Sequence, residues 1–195
     1  RQIELDVRDV PAMKSRLQTV AQQVGEIDIL VNNAGYEQVC PSYELTEETW
    51  DTIMETNLKG AFFAAQAAAN SMVRSGRGGA IVNVCSLTSY VGVPTAVPYG
   101  SSKSGLLGMT RALSTEWASE KIRVNAIAPG YFRTELTEDF YREEAWQQAM
   151  LQKIPLNSFG QANDLKGAVI FLVSDAAKYI TGQCLALDGG YLASI

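Results

Sequence analysis

The chain has 195 residues, 47% apolar and 19% charged, with a net charge of −5 and no histidine. That length and balance predict one globular α/β domain. An acidic surface without a basic cluster argues against nucleic-acid binding, and no apolar run approaches the ~20 residues that span a membrane. Without histidine, a Ser-His-Asp triad and a His-Glu-x-x-His zinc site are both excluded. Cys40, Cys85 and Cys184 share no ligand spacing, which predicts buried free thiols and no metal.

In chain order, residues 1–5 read as the end of a strand. Asp9 with Pro11 opens a helix that Gly25 stops. Ile29-Leu30-Val31 is a short buried strand, and Asn32-Asn33-Ala34-Gly35 turns out of it. Thr46 opens a long helix reaching about Arg74, rich in alanine and carrying Phe62 and Phe63. Arg77-Gly-Gly79 leads into the strand Ala80–Cys85, and Pro98 opens a helix to about Ser119. Val124–Ala128 is a strand stopped by Pro129-Gly130. Residues 131–158 are charged, aromatic and too long for an ordinary connection, which predicts a lid. A helix over 164–174 and a strand over 184–187 complete the series. This alternation implies a parallel, doubly wound sheet with its site at the strands' carboxyl ends.

The chemistry concentrates at Tyr99, Lys103 and Ser86. Residues four apart share a helix face, so an ammonium stands one turn from a phenol. There it is expected to favour the phenolate and lower a pKa that is ordinarily ~10. Ser86 ends its strand and presents a hydroxyl at the carboxyl edge. Together the three suit proton transfer to or from a carbonyl or alcohol.

Asp6-Val7, Asn32-Asn33-Ala34-Gly35, Asn57, Ser86, Tyr99-Gly-Ser-Ser-Lys103, Pro129-Gly130 and Asp188-Gly189-Gly190 stand in one order and spacing. In this the whole chain resembles the short-chain dehydrogenases/reductases. Residues 99–130 and the ending Ile180-Thr-Gly-Gln…Asp188-Gly-Gly-Tyr look most like the gluconate 5-dehydrogenase and 2-deoxy-gluconate 3-dehydrogenase branch. The resemblance implies a Rossmann-like fold, NAD or NADP as cofactor, and Ser86, Tyr99, Lys103 and Asn57 as the catalytic set. In it Ser86 orients the substrate carbonyl, Tyr99 transfers the proton, Lys103 also bonds the nicotinamide ribose, and the Asn57 backbone holds a water. It further implies cofactor contacts from Asp6, Val7, Asn33, Ala34 and Gly35 on the adenosine side. Pro129, Gly130, Phe132 and Thr134 take the nicotinamide side, with Tyr99 and Lys103 beside them. Asn83 and Asn125 read as structural partners, and Asp188-Gly189-Gly190 as a supporting turn.

The family's Gly-rich first turn has no counterpart here: no Gly-x-x-x-Gly-x-Gly occurs near Arg1. The chain therefore reads as a single domain over 1–195 lacking the family's first two strands, a fragment that leaves the Ile29 strand with a bare apolar edge. NAD and NADP are not distinguished, because the residue that reads the 2′ position belongs to the second of those strands. The expected substrate is a neutral sugar, a polyol or a small ketone. Tyr36-Glu37-Gln38 stands where aldonate-oxidising relatives carry basic residues, although Arg133 or Arg142 on the lid offers a countercharge. The alternatives are an acyl-thioester ketoreductase, or a non-catalytic remnant serving binding or assembly. Composition fits a cytoplasmic domain, and the family resemblance implies a homotetramer, with a dimer as the fallback, joined through the alanine-rich helix with the Tyr99 helix and through the C-terminal strand.

Overall fold

The computed structural model describes residues 2–133 and 140–195. Four parallel strands lie side by side in chain order: β1 (Ile29–Asn32), β2 (Gly79–Val84), β3 (Ile122–Pro129) and β4 (Cys184–Leu187). The helices are α1 (Val10–Val24), α2 (Glu47–Met54), α3 (Ala61–Ser75), α4 (Val97–Glu116), α5 (Glu144–Leu151) and α6 (Ala162–Val173). Between α2 and α3 the chain does not break but widens into one π-helical segment, Glu55–Gly60. The expected long helix is thus continuous, and Asn57 sits in its irregular part, a type of bulge often found at functional sites.

Strand periodicity divides the core between two faces. Ile81 and Val124 pack with Ala65, Ala68 and Met72 of α3 and Leu113 of α4, whereas Val82 and Ile127 pack with Leu172 of α6. Each fully buried aliphatic side chain contributes roughly 1.5–3 kcal/mol. Covering on both faces explains why β2 and β3 read as nearly continuous apolar runs. The fold is the expected Rossmann-like parallel sheet. As predicted, β1 lies at an edge, with Ile29 50% and Val31 39% exposed.

Several boundaries follow the sequence closely. The Asp9 carboxylate accepts from the Ala12 amide at 3.0 Å, Pro11 lies in the first turn, and Gly25 ends α1 at φ +123°. Asp188 shapes its turn by accepting from the amides of Gly190 and Leu192, both at 2.9 Å. One expectation fails: residues 2–6 form no strand, because a strand is defined by a ladder partner and none pairs with them. The 131–158 stretch is also less irregular than expected, since α5 lies within it, while 134–139 fall outside the described residues. Only Cys85 is fully buried. Cys40 and Cys184 are half-buried, and hydrogen bonding from Cys85 brings the Cys184 thiol down to about 7.

A side-chain ladder crosses the sheet just below its carboxyl end. Asn32 donates to Asn83 at 2.9 Å and to the Ala61 carbonyl at 3.0 Å, and Asn83 donates to Thr110 of α4 at 2.9 Å. Asn125 donates to the Ile180 carbonyl at 2.9 Å and accepts from the Gln183 amide at 3.1 Å. Both asparagines are structural, as expected. Asn32 and Asn83 fix β1, β2, α3 and α4 relative to one another, and Asn125 ties β3 to the segment before β4.

Candidate active site

Ser86 leaves the carboxyl end of β2 in an extended conformation, and its hydroxyl caps the following turn by accepting from the Thr88 amide at 3.2 Å. Tyr99 stands in the first turn of α4 with Lys103 one turn on, so these three residues converge at one edge of the sheet. Lys103 is 3% exposed, the one fully buried charged side chain among the described residues. Its Nζ donates to the Val84 carbonyl at 2.7 Å and lies 5.5 Å from the centre of the Tyr99 ring. Ser89 fastens the same turn by donating to the Lys103 carbonyl at 2.9 Å.

Burial governs the ionisation of both groups. It pushes the Tyr99 phenol up to about 12, reinforced by the negative charge of Glu37, while a hydrogen bond with Ser86 pulls the other way. Burial likewise pushes the Lys103 ammonium down to about 8. This corrects the expectation of a phenol depressed by lysine. The lysine donates a hydrogen bond to a backbone carbonyl, and the removal of both groups from water sets the direction of each shift. At neutral pH Tyr99 is therefore a protonated phenol, a proton donor facing the Ser86 hydroxyl.

Asn57 is 1% exposed and organises the loop above this pair. Its Oδ1 accepts from the Tyr36 amide at 2.7 Å and its Nδ2 donates to the Tyr36 carbonyl at 2.9 Å. The same Nδ2 donates to Ser102 at 3.1 Å, and Ser102 donates to the Tyr99 carbonyl at 2.7 Å. One buried side chain thus ties the turn after β1 to the helix turn carrying the phenol. Ser102 was not singled out from sequence. Its signal was its place one residue before Lys103, on the side of α4 that meets Asn57. A Cβ on Gly35 would lie 3.7 Å from both Lys103 Nζ and Asn57 Oδ1, so the loop passes directly over the lysine.

The remaining candidates divide. Asn33, Ala34 and Gly35 are exposed along the carboxyl edge, next to Lys103. Pro129 ends β3, and Gly130 abuts Asp188 so closely that a Cβ would lie 2.7 Å from its Cα. The Phe132 ring is buried against Gly160. Val7 packs on Gly60, one turn from Asn57. Asp6 is engaged elsewhere, bonding the Arg8 amide at 2.9 Å and its guanidinium at 3.0 Å. Thr134 lies outside the described residues.

Residues 1–192 match a protein-family model described as Enoyl-(Acyl carrier protein) reductase. The 2-dehydro-3-deoxy-D-gluconate 5-dehydrogenase of Escherichia coli K12 is 40% identical over 188 residues, 96% of this chain and 74% of that protein. The chain belongs to the short-chain dehydrogenase/reductase family. Among solved structures, a provisionally named short-chain alcohol dehydrogenase of Sinorhizobium meliloti 1021 superposes with a TM-score of 0.95 at 63% identity, over 99% of this chain and 76% of that one. A gluconate 5-dehydrogenase of Burkholderia cenocepacia J2315, crystallised with NADP and tartrate, gives 0.96 at 36% identity, over 98% and 74%.

Short-chain dehydrogenases/reductases use NAD or NADP, and the residues present fit such a group. The bond to Val84 takes one of the three Lys103 donors, and no other acceptor among the described residues takes the remaining two. Gly35 runs past that ammonium, with a Cβ there standing 3.7 Å from Nζ, so Lys103 lies next to the exposed Asn33–Gly35 edge. Among the described residues there is no cluster of metal-ligating side chains, and no helix is long and apolar enough to cross a membrane.

Proposed function

We propose that this protein is an NAD(P)-dependent oxidoreductase interconverting a secondary alcohol and a ketone of sugar, polyol or small-ketone type. The observation that carries this reading is the meeting of Ser86, Tyr99 and a buried, incompletely bonded Lys103 beneath the open Asn33–Gly35 edge. When bound, a nicotinamide would supply or accept a hydride at the substrate carbon. Ser86 donates a hydrogen bond to the substrate oxygen and sets its orientation. Tyr99 gives its proton to that oxygen in reduction and takes one from the hydroxyl in oxidation. Lys103 would hold the cofactor's ribose through its remaining donors, and Asn57 keeps the loop and α4 in register. Gly35 and its neighbours, with Pro129 and Gly130, line the cofactor. The backbone of Phe132 extends that lining.

Residues 1–195 act in this reading as one domain of a cytoplasmic enzyme of carbohydrate metabolism, with no nucleic-acid or membrane partner. The protein assembles as a homotetramer. Leu58, Phe62, Phe63 and Met109 line an open apolar groove between the π segment, α3 and α4, a surface suited to a second copy. The acyl-thioester reading draws support from the name of the matching family model, but a carrier protein is acidic and calls for a basic patch. With a net charge of −5 and Glu37 at the site, the small-molecule reading is the better supported. The direct test is consumption of NADH or NADPH with 2,3-butanedione by the natural protein. Its abolition in Tyr99→Phe supports the reading, and undiminished turnover in that variant overturns it.

A further inference from the structure

α4 is seated on the π segment at two neighbouring points. A Cβ on Gly105 would lie 2.9 Å from the Leu58 side chain, so the bare backbone there lets the two elements approach closely. One turn earlier, on the same face of α4, Ser102 meets Asn57. Ser102 is 0% exposed and its hydroxyl is committed on both sides. It accepts from Asn57 Nδ2 at 3.1 Å and donates its single proton to the Tyr99 carbonyl at 2.7 Å. Asn57 Oδ1 accepts in turn from the Tyr36 amide at 2.7 Å. The donors therefore run in one direction, from the loop after β1 through two buried side chains to the peptide that carries the phenol, and each bond polarises the next. Serine is a poor choice for a helix interior, where its hydroxyl competes for backbone groups. A serine bonded to a carbonyl in the preceding turn bends a helix locally, and the carbonyl drawn here belongs to Tyr99.

We propose that Ser102 is a positioning residue for the reaction, one that sets through the Tyr99 carbonyl the orientation from which the phenol meets the substrate oxygen. This role rests on the oxidoreductase reading above and adds a residue to it. Ser102 touches no reacting atom. Tyr99 stands in the first turn of α4, and helix ends are where backbone fluctuates most freely. Proton transfer needs hydrogen-bond geometry between the phenol and the substrate, and a misplacement of about 1 Å costs on the order of 10²-fold in rate. A buried hydroxyl bonded to the tyrosine's own carbonyl removes that freedom. Lys103 is fastened separately, by Ser89 donating to its carbonyl at 2.9 Å. Loss of the Ser102 hydroxyl thus falls on proton transfer and spares the binding of cofactor and substrate.

Reduction of 2,3-butanedione by the natural protein, with NADH or NADPH supplied, tests this. Ser102→Ala should lower kcat at least about tenfold and leave the KM values for dione and cofactor within about threefold of wild type. Ser102→Thr keeps a hydroxyl able to reach a carbonyl of the preceding turn, and should return kcat to within about threefold of wild type. In the Tyr99→Phe background, Ser102→Ala should change the residual rate by less than about twofold, because the group it positions is gone. Should the alanine variant not fold, Ser102→Cys, close in size and only a weak donor, takes its place with the same expectations. A kcat untouched by the loss of the hydroxyl overturns the proposal. So does a threonine variant no better than the alanine one, or an equal loss in both backgrounds, which is what a merely structural role produces. If wild type does not reduce the dione, or if Tyr99→Phe keeps full turnover, the oxidoreductase reading fails and takes this one with it. If that reading stands and the variants behave otherwise than stated, the role of Ser102 alone is wrong.

Discussion

The Lys103 ammonium donates to the Val84 carbonyl at 2.7 Å and stands 5.5 Å from the centre of the Tyr99 ring. Lysine and tyrosine are therefore neighbours whose ionisation is set first by burial and only second by each other.

Because Tyr99 is protonated at neutral pH, with its pKa up at about 12, the enzyme should be poised for reduction. Alcohol oxidation needs the phenolate, whose fraction rises about tenfold per pH unit below its pKa. Initial rates of alcohol oxidation should climb steadily from pH 7 to 10, while carbonyl reduction should not. A flat oxidation profile would remove Tyr99 from the role of base.

Tyr99→Phe deletes the phenol while keeping its ring beside Lys103. Turnover should fall by roughly the 10²–10⁴ attached to a lost general acid or base. Cofactor affinity, followed by quenching of intrinsic fluorescence, should stay within a few-fold of wild type.

Stability should also depend on Lys103. Its folded pKa, about 8, lies below the 10.5 of the free group, so between those values the unfolded chain binds more protons. Stability must then rise with pH through that window, by roughly 3 kcal/mol for a shift of this size. Above pH 10 the raised Tyr99 pKa acts oppositely, because the folded state there holds the extra proton. In the cofactor-free protein, Lys103→Met should raise the urea midpoint at pH 7 and flatten the gain between pH 8 and 10. A variant less stable than wild type at pH 7 would contradict burial as the dominant cause.

Asn57→Ala removes the grip on Tyr36 and the link to Ser102. Groups left unpaired there cost about 1–3 kcal/mol each, so the melting temperature should drop. Catalysis should fall further than stability accounts for, because the loop over Lys103 loses its register. Wild-type kcat in a variant that melts several degrees lower would show that the link is purely structural.

Gly60 closes the π segment, and a Cβ there would lie 2.8 Å from the Val7 carbonyl oxygen. Gly60→Ala must push that backbone away, at an expected cost of about 1–3 kcal/mol. Thermal unfolding measures it directly, and an unchanged midpoint would mean that the Val7 segment gives way freely.

Sequence alone determined a good deal. Alternating strand and helix patterns gave the parallel sheet, because both faces of such a sheet are covered and its strands must be apolar throughout. The Asp9 cap, the Gly25 stop and the Asp188 turn were legible because each is a local hydrogen bond or a φ value that few residues supply. The meeting of Ser86, Tyr99 and Lys103 at one sheet edge was legible because one residue ends a strand and the other two stand one turn apart on the next helix. The tertiary structure decided what depends on distant partners. Residues 2–6 are not a strand, since pairing is a property of two segments and not of one. Ser102 joined the site because a π bulge far upstream aims Asn57 at it. The phenol rises instead of falling because desolvation is set by everything packed around Tyr99, and no local spacing encodes that.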